Sequence, residues 1–262
     1  MLRRRLLPFA TLASLLIANP AWAKAKSLEL RFDVHVRESV VAKGRMLVGP
    51  RSAGRKSVRA VTIEGHSEDL AGVLYAGSSQ ATSWLDAEWK PVAARWSSEF
   101  LRRKSQTQAT YEGKHITADF ARAGKGGVHV DRELDERAHD LVSLVPWLVQ
   151  QKVKAGQQLD GTIYVGADVC HVHLTVAAVE SVTVPAGTRP GLPIAVTVEQ
   201  CRVKRAFTLW LDGKDWTPLK IRVAETVVGA VELVLTGVSQ VDVAAPTLPS
   251  HAQVSAGTTE TH

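Results

Sequence analysis

From Leu28 to Arg37 the side chains alternate without a break. Leu28, Leu30, Phe32, Val34 and Val36 take one parity, and Glu29, Arg31, Asp33, His35 and Arg37 take the other. Successive side chains of an extended chain point to opposite faces, so this spacing predicts a strand with one buried and one wet face. The texture recurs, and strands are expected at Lys56 to Glu64, Leu70 to Ala76, Ala81 to Leu85, Val92 to Lys104, Gln106 to Tyr111 and His115 to Ala121. Gly49-Pro50, Gly77-Ser78-Ser79, Glu112-Gly113-Lys114 and Gly124-Lys125-Gly126-Gly127 punctuate them with the residues that tight hairpins need. The first half therefore reads as a run of antiparallel hairpins.

One segment breaks the pattern. In DERAHDLVSLVPWLVQQKV, residues 135 to 153, Ala138, Leu141, Val142 and Val145 recur at helical spacing, which predicts one short helix around residues 138 to 150. Pro146 lies inside it and is expected to end or kink the helix near Val145. Strands then resume at Leu159 to Val165, Val169 to Val179, Ser181 to Pro185, Pro193 to Val203, Arg205 to Asp212, Leu219 to Ala224 and Ala230 to Val243. The expected fold is all-β: an antiparallel, strongly curved sheet or partly open barrel with one short helix.

The ends of the chain carry different chemistry. Residues 1 to 23, MLRRRLLPFATLASLLIANPAWA, pass from three arginines through an apolar run to Ala21-Trp22-Ala23, the order of a secretory signal peptide. Cleavage near Ala23 predicts a periplasmic or secreted product, and no later segment is apolar enough to cross a bilayer as a helix. Loss of the leader takes three arginines and no acid, so the formal net charge falls from +6 to +3, too little to argue for nucleic acid. Residues 24 to 243 then form one β-rich domain, and residues 244 to 262, small and polar with prolines, read as a disordered tail.

The second half carries a recognisable order of features. DLVSLVPW from Asp140 to Trp147 is followed by VKAGQ from Val153, then VTVPAG from Val182, FTLWLDGKDWTPLKIRV from Phe207 to Val223, and GAVEL from Gly229. This order resembles the exported bacterial proteins grouped as domain of unknown function family 3108. Their shared features are a D-x-x-S helix start, a glycine before a strand, a Glu-to-Gly turn matched here by Glu180 and Gly187, and a W-L to P-L-x-I hairpin. The resemblance runs from about Leu28 to Val241. Cys170, Cys201 and the Pro146-Trp147 pair depart from the pattern. The family implies an exported curved sheet with a binding or envelope-maintenance role and no established catalytic residues, and supplies no site to carry over.

Candidate chemistry centres on GADVCHVHLTV, residues 166 to 176. On a strand, Cys170 shares a face with Val172, Leu174 and Val176, while His171 and His173 share the other, so one metal cannot readily use all three. His171 and His173 can clamp zinc or copper only with further ligands from elsewhere, such as His129 and Asp131, or Glu199. In an oxidising compartment two cysteines allow one disulfide, Cys170 to Cys201, with two buried free thiols as the alternative. Cys201 shares parity with Val203 and Phe207, and faces inward if its strand runs straight through Lys204.

Catalytic constellations are missing from the sequence: there is no G-x-S-x-G, HExxH, P-loop or G-x-G-x-x-G, and the adjacent Cys170 and His171 face opposite ways. The expectation is a non-enzyme without cofactors. Seven tryptophans against five phenylalanines is an unusual ratio. Trp84, Trp89, Trp96, Trp210 and Trp216 can line a groove for a lipid or glycan, or serve as ordinary core. The expected function is binding of an apolar or envelope-derived ligand. A scaffold for an envelope protein is the alternative, and metal binding through His171 and His173 comes third.

Overall fold

A computed structural model describes residues 26–52, 57–67, 77–100, 103–201, 205–224, 226, 229–244 and 246–249. The expected signal peptide and the expected strand at Leu70 to Ala76 lie outside the described residues. Eight strands form an antiparallel meander: β1 (Ser27–Val36), β2 (Ser39–Arg51), β3 (Arg59–Ser67), β4 (Gly77–Leu85), β5 (Pro91–Phe100), β6 (Arg103–Glu112), β7 (His115–Arg122) and β8 (Lys125–Glu133). A two-residue strand β9 (His139–Asp140) leads into helix α1 (Leu144–Gln151). Seven strands follow: β10 (Gln158–Val165), β11 (Asp168–Val176), β12 (Glu180–Val184), β13 (Gly187–Glu199), β14 (Arg205–Asp212), β15 (Pro218–Val223) and β16 (Val231–Val241).

All strands belong to one sheet, in the order β8 through β1, then β16, β15, β14, β13, β11, β10 and β9, with β12 paired to β13. Every pairing is antiparallel except β9 with β10. The first and last strands meet at the centre, where Leu30 stands opposite Val238. Register shifts at Arg31/Phe32, Val34/His35, Trp84/Leu85 and Trp210/Leu211 insert bulges, which bend the sheet and increase its twist.

The sheet curls past closure without a backbone ladder between its ends. Ile163 of β10 packs into the main core while its neighbour Tyr164 packs against Ala109, Tyr111, Ile116 and Ala118 of β6 and β7. Those four residues lie on the inner face of their strands, so the first half of the sheet overlaps the outer face of β10. The ends are joined by side chains, and the result is a partly open, barrel-like coil.

Helix α1 enters the interior and occupies part of it. Leu144, Val145, Pro146, Trp147 and Leu148 are all buried. They pack with Leu30, Met46, Val61 and Leu85 from one half and Leu174, Ile194, Leu209, Leu219 and Leu235 from the other. Burying a side chain such as Leu148 contributes about 2 kcal/mol. Gly161 admits this packing: a Cβ there meets the Trp147 ring at 3.4 Å.

Several expectations are corrected. The helix begins at Leu144 rather than near 138, and Pro146 lies in its first turn instead of ending it. The first four N–H groups of a helix have no intrahelical acceptor, so proline there sacrifices nothing. The long strand expected from Val92 to Lys104 divides into β5 and β6. Strands β2 and β8 are additional. β8, KGGVHVDRE, is exposed on nearly every residue at the sheet's edge and so carries no alternation to read. The described part of the tail, residues 246–249, reaches the outer face, where the Trp84 indole donates to the Pro246 carbonyl at 3.0 Å and Leu248 packs beside it.

Candidate functional site

The inner face carries a row of small side chains. Phe32 pairs with Gly44, Gly44 with Gly65, Gly65 with Ser79, Ser79 with Ser98 and Ser98 with Ser105, so five adjacent strands have little to put into the interior at that level. The parallel row holding Ser83, Ala94, Ala109 and Ala118 is nearly as small. A core keeps crystal-like density only where large residues face small ones, and α1 is too short to fill both rows. Two voids remain.

The larger of the two apolar hollows is a groove of about 460 Å³ bordered by Phe32, Gly44, Met46, Ile63, Gly65 and Val145. The smaller is a chamber of about 220 Å³ bordered by Ala81, Ala94, Trp96, Ala109, Tyr111, Asp140 and Tyr164. Ile63 and Ser79 border both, so they adjoin. Of the two apolar hollows, the groove falls within the roughly 300–1000 Å³ common to ligand sites.

The chamber's polar end is set by the D-x-x-S segment. Asp140 Oδ1 accepts from the backbone N–H of Val142 and of Ser143, both at 2.8 Å, and the Asp140 N–H donates to Ser143 Oγ at 2.8 Å. This reciprocal turn launches α1, in the way short polar side chains substitute for missing backbone partners. Ser83 Oγ of β4 donates to Asp140 Oδ2 at 2.7 Å. Burial raises the Asp140 pKa above the usual carboxylate value despite these donors.

Tyr111 and Tyr164 stand beside it, each 4 % exposed. Neither hydroxyl has a hydrogen-bond partner among the described residues. Burial, reinforced by Asp140, pushes the Tyr111 phenol well up, and burial with Asp168 and Asp119 pushes Tyr164 to about 12, so both stay neutral donors. Neighbouring His139 stacks on Trp147 with ring centroids 5.0 Å apart, and burial with nearby Arg137 and Lys90 holds it down at about 4.

The tryptophans are dispersed. Trp96 borders the chamber; Trp84 faces outward beneath Pro246. Trp89 and Trp216 occupy turns with φ of 60° and 63°, and the Arg59 guanidinium lies 4.6 Å from the Trp89 ring centroid. Trp210 donates to Glu180, and Lys220 sits over its ring at 5.6 Å. Glu180 of β12 and Trp210 of β14 are thus partners in one structural joint.

Cys170 and Cys201 form a disulfide with a Cα separation of 5.2 Å, within the normal range. The geometry differs from the sequence argument: β13 ends at Glu199, and Gln200 turns the chain at φ 58°, so a turn delivers Cys201 instead of straight-strand parity. His171 and His173 face away from Cys170 and share Asp160, at 3.4 Å and 2.9 Å from its Oδ1. The His173 hydrogen bond holds Asp160 below the usual carboxylate range. His129 pairs with Asp119 and Asp131 with His115, away from this strand. Among the described residues no group of three His, Cys, Asp or Glu side chains is placed to hold a metal. Among them, too, no helix is long and apolar enough to cross a membrane.

The signal for the chamber was present as the inward alanines and glycines, but Tyr164 was unreadable. Alternation assigns it to the wet face of β10, which only the overlap covers.

A single, mostly antiparallel sheet coiled around one helix, unclosed and hollow on its concave side, defines a barrel-like all-β protein. The chain belongs to the family described as Protein of unknown function (DUF3108), whose model matches residues 31–236. Its fold is similar to the crystal structure of a beta-barrel-like protein of domain of unknown function DUF1849 from Brucella abortus, with a TM-score of 0.57 and 11 % identity over 84 % of this chain and 100 % of that one. A Bacteroides fragilis protein with a YmcC-like fold matches at a TM-score of 0.35 and 8 % identity, covering 83 % of this chain and 97 % of that one. No curated protein matches the chain.

Proposed function

We propose that this is an exported protein that holds an apolar, envelope-derived ligand on its concave face and does not transform it. The observation that carries the reading is the apolar groove beside α1, left open because Gly44, Gly65, Ser79 and Ser98 put almost nothing into the interior. The signal-like leader and the disulfide support an oxidising compartment. Among the described residues the exposed large apolar side chains are five valines, Val40, Val128, Val179, Val238 and Val243.

The test is displacement of an environment-sensitive apolar dye by lipid extract from the purified mature chain. Gly65→Val should narrow the groove, since an added Cβ there makes only ordinary contacts, with Ser79 Oγ at 3.7 Å and the Lys43 carbonyl at 3.8 Å. Ala94→Leu fills the chamber. Both variants should keep the wild-type circular dichroism and lose dye and lipid binding by tenfold or more, a margin of about 1.4 kcal/mol. Binding equal to wild type in both variants overturns the reading.

A further inference from the structure

Tyr111 and Tyr164 both border the chamber, and neither buried hydroxyl has a partner among the described residues. A buried polar group left unpaired costs about 1–3 kcal/mol, and here the sequence bears that cost twice in one place. Tyr111 comes from β6 and Tyr164 from β10, strands that meet only through the overlap. Both residues border the one chamber and belong to one packed cluster.

The charges around them select what can enter. Asp140 borders the same chamber, and its oxygens already accept from Val142 N, Ser143 N and Ser83 Oγ. It therefore sets the local potential more than it offers a free acceptor. Asp119 and Asp168 add negative charge near Tyr164. Arg95 borders the chamber by its strand position, but the alternation of β5 sends Ala94 and Trp96 inward and leaves Arg95 exposed on the outer face. A buried carboxylate or phosphate head would meet like charge with no cation inside to pair it. An ammonium head would bring donors and no acceptor, leaving both phenolic protons unpaired. A carbonyl or hydroxyl oxygen has two lone pairs, one for each tyrosine.

We propose that this chamber receives the neutral oxygen head of an amphiphile, an ester carbonyl or a hydroxyl, which accepts from Tyr111 and Tyr164 while the hydrocarbon chain runs past Ile63 into the groove. This rests on the carrier reading above and names the ligand's chemical class.

The experiment is calorimetric titration of the delipidated mature protein with dodecanol, monolaurin, dodecanoate and dodecylamine at neutral pH, against wild type, Tyr111→Phe, Tyr164→Phe and the double variant. Dodecanol and monolaurin should bind at least tenfold more tightly than dodecanoate or dodecylamine. Each phenylalanine should lower neutral-head affinity about fivefold and leave dodecanoate unchanged. Thermal melts provide an independent readout: the ligand-free phenylalanine variants should melt at or above the wild-type temperature, since each removes an unpaired hydroxyl. A lowered melting temperature would mean that the hydroxyls serve the fold, which overturns the proposal. Equal or tighter binding of dodecanoate or dodecylamine also overturns it, while leaving the carrier reading standing. Absence of binding by all four probes removes the carrier reading and this proposal together.

Discussion

Ser83 Oγ donates to Asp140 Oδ2 at 2.7 Å, joining β4 to the start of α1 across 57 residues of sequence. It is a buried contact between two distant parts of one curled sheet. Ser83→Ala should leave Asp140 Oδ2 short of a donor and lower stability by about 1–3 kcal/mol in urea unfolding. Asp140→Ala should cost more, because Val142 N and Ser143 N lose their acceptor as well. Equal effects would show that the bridge, rather than the turn, is what matters.

Pro146 is expected to be nearly dispensable as a backbone element. Pro146→Ala should cost no more than about 1.5 kcal/mol, all of it lost ring packing, since no N–H acceptor is at stake in the first turn. Val149→Pro, deeper in α1, should cost about 3 kcal/mol or more. Chemical denaturation of the two variants separates the cases.

His139 gives stability a pH dependence. Its folded pKa of about 4 lies below the ordinary value of 6.5, so protonation favours the unfolded chain as pH falls. Its contribution, roughly 3 kcal/mol, is fully present above pH 6.5 and is lost as pH falls through about 4. Asp140, with a raised pKa, works in the opposite sense: its contribution is present below the ordinary carboxylate pKa and lost as pH rises through the folded one. His139→Phe should therefore flatten the stability profile between pH 6.5 and 4, measured by urea midpoints at stepped pH. An unchanged profile would assign the acid sensitivity elsewhere.

The disulfide closes a separation of 31 residues and should contribute about 3–4 kcal/mol, mainly by restricting the unfolded chain. A Cys170→Ala, Cys201→Ala double variant should lose that amount and become insensitive to reductant in thermal melts. Since β11 and β13 are already hydrogen-bonded neighbours, the barrel-like fold should survive, as judged by circular dichroism.

Trp84 is 4 % exposed and its indole donates to Pro246. Truncation after Ala244 should expose it and shift the tryptophan emission to longer wavelength. The Trp84→Phe background should abolish the shift.

Local pattern made much of this protein legible. Period-two runs and hairpin residues announced the antiparallel strands, because one buried and one wet face leaves its mark on every second residue. The same alternation set Cys170 against His171 and His173. The disulfide followed from compartment chemistry, although Cys201 is delivered by a turn at Gln200 that strand parity does not foresee. The polar edge strand β8 was hidden because both its faces are wet. What only the tertiary structure decided is the overlap. Alternation says which side of a strand a residue takes, but not what later covers that side. Tyr164 reads as solvent-facing on β10, and becomes buried beside Tyr111 only because the coiling sheet brings β6 and β7 over it. The hollow has the same origin: inward alanines and glycines on distant strands make a cavity only when curvature gathers them around a helix too short to fill the space.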